Sequence, residues 1–174
     1  MKDLLRDNLA HIQDRIANAA AHANRDVSAI TLVAVSKAHP VEALLAAYEL
    51  GVRHFGENRV EEAATKLPAF RQAISDPAVM FHMIGHVQSR KARPVAEKFD
   101  YVHSVDSLKL AERLSLHALQ NNRVLPVLLE INVSGEETKY GYPAWEEAHY
   151  PDLLDGLRAV QPLVNIEVRG LMTM

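Results

Sequence analysis

The chain has 174 residues, no cysteine and a formal net charge of −3. Hydrophobic residues make up 48% and charged residues 24% of it, a balance typical of a globular protein and unlike that of a disordered one. The lack of cysteine excludes disulfides, thiolate nucleophiles and cysteine-bound zinc or iron–sulfur clusters. The near-neutral charge argues against electrostatic capture of nucleic acid or anionic membranes. The length predicts a single domain over residues 1–174.

No segment of the sequence reads as a targeting signal. Its start lacks the basic stretch and apolar run of a signal peptide, and no apolar run approaches the roughly 18 residues that cross a membrane. We therefore expect a cytoplasmic protein with neither a membrane nor a nucleic acid among its partners.

The chain opens with an amphipathic helix over residues 3–23, because leucine and isoleucine recur there at steps of three to four. Short apolar segments and helical segments then alternate to the last residue. Strands are predicted at residues 30–36, 52–55, 79–84, 101–105, 125–133 and 166–174, and the helices between them at residues 41–50, 59–67, 87–99, 106–120 and 145–160.

Prolines and polar residues determine several boundaries of these elements. Pro68 is expected to end the third helix, and Pro94 predicts a later start or a kink in the fourth. Asp106 is expected to cap the fifth helix, and Pro151 to break the last helix in two. Residues 135–142 are predicted to form a charged loop.

Alternating strands and helices with short turns predict a parallel sheet with right-handed crossovers. Two architectures satisfy this pattern, an open doubly wound sheet and part of a (β/α)8 barrel. In both, ligands bind at the carboxyl ends of the strands. The chain lacks the glycine-rich dinucleotide motif, the phosphate loop and the serine elbow that would favour nucleotide binding or hydrolysis.

Lys37 follows the first predicted strand and shares the parity of Val33 and Val35, so all three are expected on one face. If that face lines a barrel interior, apolar walls favour a neutral amine, which can attack a carbonyl and form a Schiff base. The alternative is a lysine whose stem packs at the strand end while its ammonium reaches water. The residues alone leave both interpretations open.

Asn58 follows the second predicted strand and also has two interpretations. It can be the N-cap of the next helix, with Glu61 three residues on as its capping-box partner. Its side-chain amide can instead form a hydrogen bond with a ligand oxygen at the strand mouth.

The third predicted strand ends among histidines and basic residues. His82 and His86 have the i, i+4 spacing of zinc ligands on a helix, but they flank a strand end and a glycine turn, and no glutamate lies between them. We therefore expect no metal site. Arg90, Lys91 and Arg93 form a basic cluster that is interpreted as a solvated helix face.

Glu130 and Asn132 alternate with apolar residues in the fifth predicted strand. Polar side chains inside so apolar a strand need partners, and a polar barrel interior would supply them. For Glu130, a buried structural network is an equal alternative.

Six motifs occur in order across the chain: VAVSK at 33–37, FGENRVEE at 55–62, HMIGHVQSRK at 82–91, VHSVD at 102–106, INVS at 131–134 and GLMTM at 170–174. Each motif is weak alone, whereas six in this order are specific. Together they resemble the pyridoxal phosphate homeostasis protein family, also described as YggS-like or proline synthase co-transcribed proteins.

The resemblance implies a (β/α)8 TIM barrel of the alanine-racemase N-terminal type, which is fold type III among proteins that bind pyridoxal 5′-phosphate (PLP). It implies that PLP is held as an aldimine on the lysine at the end of the first strand, here Lys37. Asn58 matches a motif position beside the cofactor. His82, Asn132 and Met172 fall at strand mouths, where they would line the pocket.

Family members continue through two further strands, so the resemblance implies a barrel that stops here after its sixth strand. Barrel phosphate sites commonly follow strands 7 and 8. The family's phosphate-binding serine, arginine and glycine–threonine positions lie there, and they have no counterpart in this sequence.

By this resemblance the chain acts in intracellular PLP (vitamin B6) homeostasis, with no catalytic residue assigned. We expect a monomer, with PLP-dependent apoenzymes as candidate recipients of the cofactor. One alternative is a PLP-dependent racemase-like enzyme, because the cofactor stabilises carbanions. Another, outside the family, is a Schiff-base aldolase without a cofactor.

Overall fold

A computed structural model describes residues 2–174 as one parallel sheet with helices packed against it. The strands are β1 (Ala34–Val35), β2 (His54–Glu57), β3 (Met80–Met83), β4 (Tyr101–Val105), β5 (Leu125–Asn132), β6 (Tyr142–Pro143) and β7 (Ile166–Met172). The helices are α1 (Lys2–His22), α2 (Val41–Glu49), α3 (Val60–Ala73), α4 (Ala92–Lys98), α5 (Leu108–Gln120) and α6 (Tyr150–Val160), with single 3-10 turns at Val27–Ala29, Ser89–Lys91 and Glu147–His149.

The strands follow one another across the sheet in the order of the chain. Strands β1 to β5 pair in sequence, β7 then pairs with β5, and every pairing is parallel. The short strand β6, which was not predicted, pairs with the last two residues of β5. A doubly wound sheet reverses its strand order at a switch point, so this order excludes that alternative and confirms the barrel-type prediction.

The helices cover one face of the sheet and bury an aromatic core there. The rings of Phe55, Phe70 and Phe81 lie with their centroids 5.3 to 5.8 Å apart, and each side chain is 1% exposed. Each contributes about 2 kcal/mol by burial. The opposite face, called the inner face below, carries polar residues: His54, His82, Tyr101, His103, Glu130 and Asn132.

Helix α1 agrees with the prediction in its bounds but covers less of the core than its apolar face suggests. Leu5 and Leu9 pack against the core, whereas Leu4 is 67% and Ile12 is 40% exposed. Among residues 2–174, no helix has the length and apolar character that crossing a membrane requires.

Strand β1 is shorter than the predicted strand at residues 30–36. Residues 30–33 approach the sheet without forming its ladder, although Val33 lies against Gly56 of β2. Within the described chain, β1 has a strand partner on one side only. A strand at such an edge has fewer hydrogen bonds to hold its ends in register.

Pro68 does not end α3, contrary to the prediction. The helix continues to Ala73 with Pro68 inside it. A proline there removes one helical hydrogen bond, but Leu67 and Phe70 on either side are 2% and 1% exposed. Their burial in the core outweighs the local loss, so tertiary packing determines where this helix ends.

Other helix starts differ from the prediction by small steps. Ser107, and not Asp106, is the N-cap of α5, and its hydroxyl accepts a hydrogen bond from the Leu110 N–H. Pro151 lies in the first turn of α6 and does not break it, because a backbone N–H there would be unpaired anyway. Pro94 lies in the first turn of α4 for the same reason, which confirms the later start.

Candidate functional site

Lys37 lies in a tight turn at the carboxyl end of β1. The Ser36 carbonyl accepts a hydrogen bond from the His39 N–H at 3.1 Å, so Lys37 and Ala38 occupy the two central positions. Ala38 has a φ of +61°, a left-handed conformation that type II turns require at this position and that favours glycine. The Lys37 side chain is exposed and forms no ion pair within residues 2–174.

A cluster of side chains, buried except for a half-buried Glu62, supports this turn from the helix side. Lys66 of α3 donates hydrogen bonds to the Ser36 carbonyl at 2.7 Å, to Glu57 at 2.7 Å and to Glu62 at 2.8 Å. The Ser36 hydroxyl donates to Glu57 at 2.7 Å, and Glu62 also accepts from the Ala38 N–H. We call Ser36, Glu57, Glu62 and Lys66 the Lys66 network.

The charges in this network stabilise each other. Glu57 is fully buried and Lys66 is 7% exposed. Burial alone lowers the pKa of Lys66, but hydrogen bonds to Glu57 and Glu62 outweigh this effect and raise that pKa. Hydrogen bonds from Lys66 and from the Ala38 N–H lower the pKa of Glu62. Lys66 and Glu62 are therefore both charged at neutral pH.

Asn58 lies at the same carboxyl edge of the sheet as Lys37. Strands β1 and β2 pair in parallel with Val35 opposite Gly56, so Lys37 and Asn58 follow the carboxyl ends of two adjacent strands. A methyl group on Gly85 would lie 2.3 Å from the Asn58 carbonyl oxygen, so only glycine permits this close approach. The side-chain oxygen of Asn58 is buried and has no hydrogen-bond partner in the described chain. An unpaired acceptor of this kind is available to a ligand.

The capping box predicted at Asn58 does not form. The N-cap of α3 is Arg59, and no side chain caps this helix. Glu61, the predicted capping partner, pairs with Lys91 at 2.5 Å, which holds its carboxylate away from the helix start. The Asn58 amide is thus left without its predicted structural role, which favours the ligand interpretation.

His82 is the middle member of three hydrogen-bonded histidines on the inner face, His54, His82 and His103, which we call the histidine row. Its Nε2 lies 2.9 Å from Nδ1 of His54, and its Nδ1 lies 2.9 Å from Nε2 of His103. The Tyr101 ring stacks on His82 with centroids 5.3 Å apart. Burial, together with the two neighbouring imidazoles, lowers the pKa of His82 to about 3, and burial lowers the pKa values of His54 and His103. The row is therefore predominantly neutral at neutral pH.

His82 and His86 do not meet at a common point. His86 pairs with Asp106 at 3.1 Å and stacks on Tyr140 with ring centroids 3.5 Å apart. His86 and Tyr140 line a polar cleft of about 720 Å³, together with Arg90. Across residues 2–174, no group of three or more histidine, aspartate or glutamate side chains could hold a metal ion.

Asn132 anchors the loop that follows β5. Its side-chain oxygen accepts hydrogen bonds from the N–H groups of Ser134 and Gly135, both at 3.1 Å. Its side-chain nitrogen donates to the Glu136 carbonyl at 3.1 Å. Both ends of the amide are therefore used within the loop.

Met172 and Glu130 are register partners at the carboxyl ends of β7 and β5. The Oε2 atom of Glu130 and the hydroxyl of Tyr142 are buried and have no hydrogen-bond partner among the described residues. Burial and the charge of Asp106 raise the pKa of Glu130 and raise that of Tyr142 to about 12. The structure therefore shows no hydrogen-bonded network at this oxygen of Glu130.

Of the five predicted site residues, Lys37 and Asn58 follow the carboxyl ends of the adjacent strands β1 and β2. His82 lies on the inner face further from the carboxyl edge than Asn58 does, because its register partner on β2 is Gly56. Asn132 and Met172 lie on the β5–β7 side of the same edge.

Sequence reasoning missed Glu57, Glu62 and Lys66. One signal was available, since Glu62 and Lys66 have the i, i+4 spacing that forms ion pairs on a helix. Glu57 had no such signal, because its partners come from β1 and α3 and meet it only in the folded chain.

The fold identifies the class of protein to which the chain belongs. The model of the alanine racemase N-terminal domain matches residues 8–174 of the chain. Alanine racemase of Clostridium difficile 630 shares the fold at a TM-score of 0.60 over 83% of this chain and 35% of that one, at 15% identity. The chain therefore has the fold of the alanine racemase N-terminal class.

Within that class, the chain belongs to the pyridoxal phosphate homeostasis protein family. It is 42% identical over 167 residues to the family member of Pseudomonas aeruginosa and 40% identical over 166 residues to that of Escherichia coli K12. These matches cover 95% of this chain and 68% of each relative. PipY of Synechococcus elongatus PCC7942, solved with PLP bound, has 36% identity and a TM-score of 0.70 over 91% of this chain and 69% of PipY. The resemblance of the six motifs is thus confirmed.

Proposed function

We propose that this chain binds PLP through Lys37 and acts in intracellular PLP homeostasis without a catalytic reaction of its own. Its family and the PLP found in PipY support this proposal. The observation that carries it is the Lys37 turn: an exposed amine without an ion-pair partner follows β1 at the carboxyl edge, and the unpaired side-chain oxygen of Asn58 follows the adjacent strand β2.

The residues at this edge suit PLP. When bound, PLP supplies an aldehyde carbon that condenses with a primary amine and releases water. Lys37 offers such an amine, and its backbone is held in one conformation by the Lys66 network. Asn58 offers an amide whose oxygen has no partner in the protein and can accept a hydrogen bond.

Three further residues are proposed to line the pocket. His82 contributes a neutral imidazole on the inner face, and Met172 contributes an apolar contact from β7. Asn132 contributes indirectly, since its amide holds the loop that borders this edge. We expect substitutions at these positions to weaken PLP binding less than substitution of Lys37.

The finer cellular expectations belong to this proposal as well. PLP-dependent apoenzymes are expected to receive the cofactor, and the chain is expected to act as a monomer in the cytoplasm. Transfer of bound PLP to an apoenzyme, measured by recovery of that enzyme's activity, checks the first expectation, and sedimentation of the purified chain checks the second.

Reduction with borohydride tests the attachment. Protein incubated with PLP and then reduced should carry one pyridoxyl group on Lys37, which peptide mass spectrometry locates. Lys37→Arg should lose this label. Lys109→Arg, at an exposed lysine on α5, should keep it. A label spread over several lysines, or one unchanged in Lys37→Arg, would overturn the proposal.

The same preparation separates the carrier from the two alternatives. Loss of α-deuterium from an added amino acid at enzymatic rates would indicate a racemase-like enzyme. Reductive trapping of a carbonyl substrate on Lys37 in the absence of PLP would indicate a cofactor-free aldolase. We expect neither result.

A further inference from the structure

Both peptide groups that flank the Cα of Lys37 are held by the Lys66 network. On one side, the Ser36 carbonyl accepts a hydrogen bond from the Lys66 ammonium at 2.7 Å. On the other side, the Ala38 N–H donates to the Glu62 carboxylate. The backbone has only two soft dihedrals per residue. Holding both peptide planes therefore determines the direction in which the Lys37 side chain leaves the backbone.

The groups that hold the turn are distant from it in the sequence, and burying them is unfavourable. Lys66 lies 30 residues after Ser36, and Glu62 lies 24 residues after Ala38. Glu57 is fully buried and accepts from both Lys66 and the Ser36 hydroxyl, so it holds the ammonium under the turn. Burying ionised groups is unfavourable unless their geometry is well satisfied. A turn that only joined β1 to α2 would not need them.

Ala38 shows that the turn is held in a conformation its sequence does not favour. Three non-glycine residues among 2–174 have a positive φ, and the other two are Asn24 and Asn122. Asparagine tolerates this region, whereas the Cβ of alanine is disfavoured there. Such strain persists only where the surroundings enforce it, and it is concentrated at functional sites. The Glu62 carboxylate, bound to the Ala38 N–H, provides that enforcement.

We propose that Glu62 is a positioning residue for Lys37 and that Lys66 holds the Glu62 carboxylate in place for this role. The inference rests on the proposed function and deepens it. Glu62 does not touch the cofactor and acts by orienting the amine that does. Removing the Glu62 carboxylate should let the turn relax, so that Lys37 samples orientations that do not react.

Two measurements on Glu62→Ala test this role. Amide hydrogen exchange at Ala38, read by NMR without PLP, reports the hold on the turn directly. We expect it to accelerate roughly tenfold, the effect of losing one charge-assisted hydrogen bond, while amides of β4 are unchanged. The rate at which PLP becomes attached to Lys37, trapped by borohydride and normalised to folded protein, should fall by about the same factor.

Two further variants make the comparison specific. Glu97→Ala removes a carboxylate from an exposed i, i+4 pair with Arg93 on α4 and should leave both measurements unchanged. Glu62→Gln keeps an acceptor oxygen for the Ala38 N–H and should recover part of the attachment rate. It also provides the test if Glu62→Ala does not fold, with a smaller change in the same direction.

The outcomes separate this inference from the proposed function. Ala38 exchange that is unchanged in Glu62→Ala, or faster exchange with an unchanged attachment rate, would overturn the positioning role alone. A wild-type chain that takes no pyridoxyl group on Lys37 would overturn the proposed function and the positioning role with it.

Discussion

The turn after β1 and the loop after β5 both border the carboxyl edge of the sheet, yet they are held in different ways. The Lys37 turn is held by side chains of β2 and α3 that lie 21 to 30 residues away in the chain. The start of the loop after β5, at residues 134–136, is held by Asn132, whose partners lie two to four residues away. The first arrangement exists only when the sheet and α3 are assembled, whereas the second can form locally.

This difference bears on what each segment can do. Hydrogen bonds between residues two to four apart can form and break without a change in the pairing of distant strands. A turn held by a buried network shares the stability of the elements that carry the network, so its geometry lasts as long as the fold does. A residue that forms a covalent bond with a ligand benefits from the second property, because its orientation is set before the ligand arrives.

Lys66→Met should have the largest effect, because Lys66 donates to every other member of the Lys66 network. It removes the ammonium and leaves the Glu57 and Glu62 carboxylates without their cation, the first of them fully buried. We expect the free energy of unfolding to fall by about 4 kcal/mol, as for other buried ion pairs that lose one partner. Urea denaturation measures it.

The matched control is Arg93→Met, which removes the cation of the exposed pair with Glu97. Exposed pairs contribute little to stability, so this variant should unfold almost as the wild type does. If Lys66→Met were no less stable than Arg93→Met, the buried network would not hold the turn.

Acid should lower the free energy of unfolding through the histidine row, by a somewhat smaller amount than Lys66→Met does. The pKa of His82 is about 3 in the folded chain against a usual value of 6.5, so the unfolded chain binds more protons in acid. The stability that depends on neutral His82 is complete above the pKa of this residue in the unfolded chain. It is lost as the pH falls from that value toward the pKa in the folded chain. At about 1.4 kcal/mol per pH unit, we expect a loss on the order of 3 kcal/mol by about pH 4.

Denaturation at a series of pH values measures this loss, and His82→Gln serves as the control. Glutamine has no titrating group, so the variant should show a shallower slope over the same range. Equal slopes in the two proteins would show that the acid sensitivity arises from other groups.

Asn132→Ala should have the smallest effect. It tests the segment that is held by short-range hydrogen bonds. It removes the hydrogen bonds to Ser134, Gly135 and Glu136, so amide exchange at Ser134 and Gly135 should accelerate. The free energy of unfolding should fall by about 1 kcal/mol.

Amide exchange at Ala38 should not change in Asn132→Ala. Asn121→Ala removes a comparable short-range hydrogen bond, to the His117 carbonyl on α5, and provides a control for the loss of an asparagine. Faster exchange at Ala38 in Asn132→Ala would show that the two segments are coupled after all.

Local patterns predicted the elements well wherever local energetics decide them. The bounds predicted for α1, β4 and β7 from apolar periodicity lie within two residues of the observed bounds, and those of β4 are identical. The prediction at Pro68 was wrong because burial of Leu67 and Phe70 outweighs a missing backbone hydrogen bond. Such packing depends on elements that come together only in the fold.

The capping-box interpretation of Asn58 was wrong for a related reason. Glu61 could cap the helix start in an isolated peptide, but in the folded chain Lys91 offers it an ion pair. Capping rules consider only residues near in sequence, and here a residue 30 positions away takes the carboxylate. The same limit explains why Glu57 was not recognised.

The sequence by itself determined the alternation of strands and helices, the parallel sheet, the position of Lys37 at the end of the first strand and the family. These follow from periodicity and from ordered motifs, which are properties of neighbouring residues. Only the tertiary structure decided that Glu57, Glu62 and Lys66 hold the Lys37 turn, that His82 is buried, and that the histidine row is predominantly neutral. Sheet register and helix packing bring distant residues within hydrogen-bond distance, and burial then shifts their pKa values.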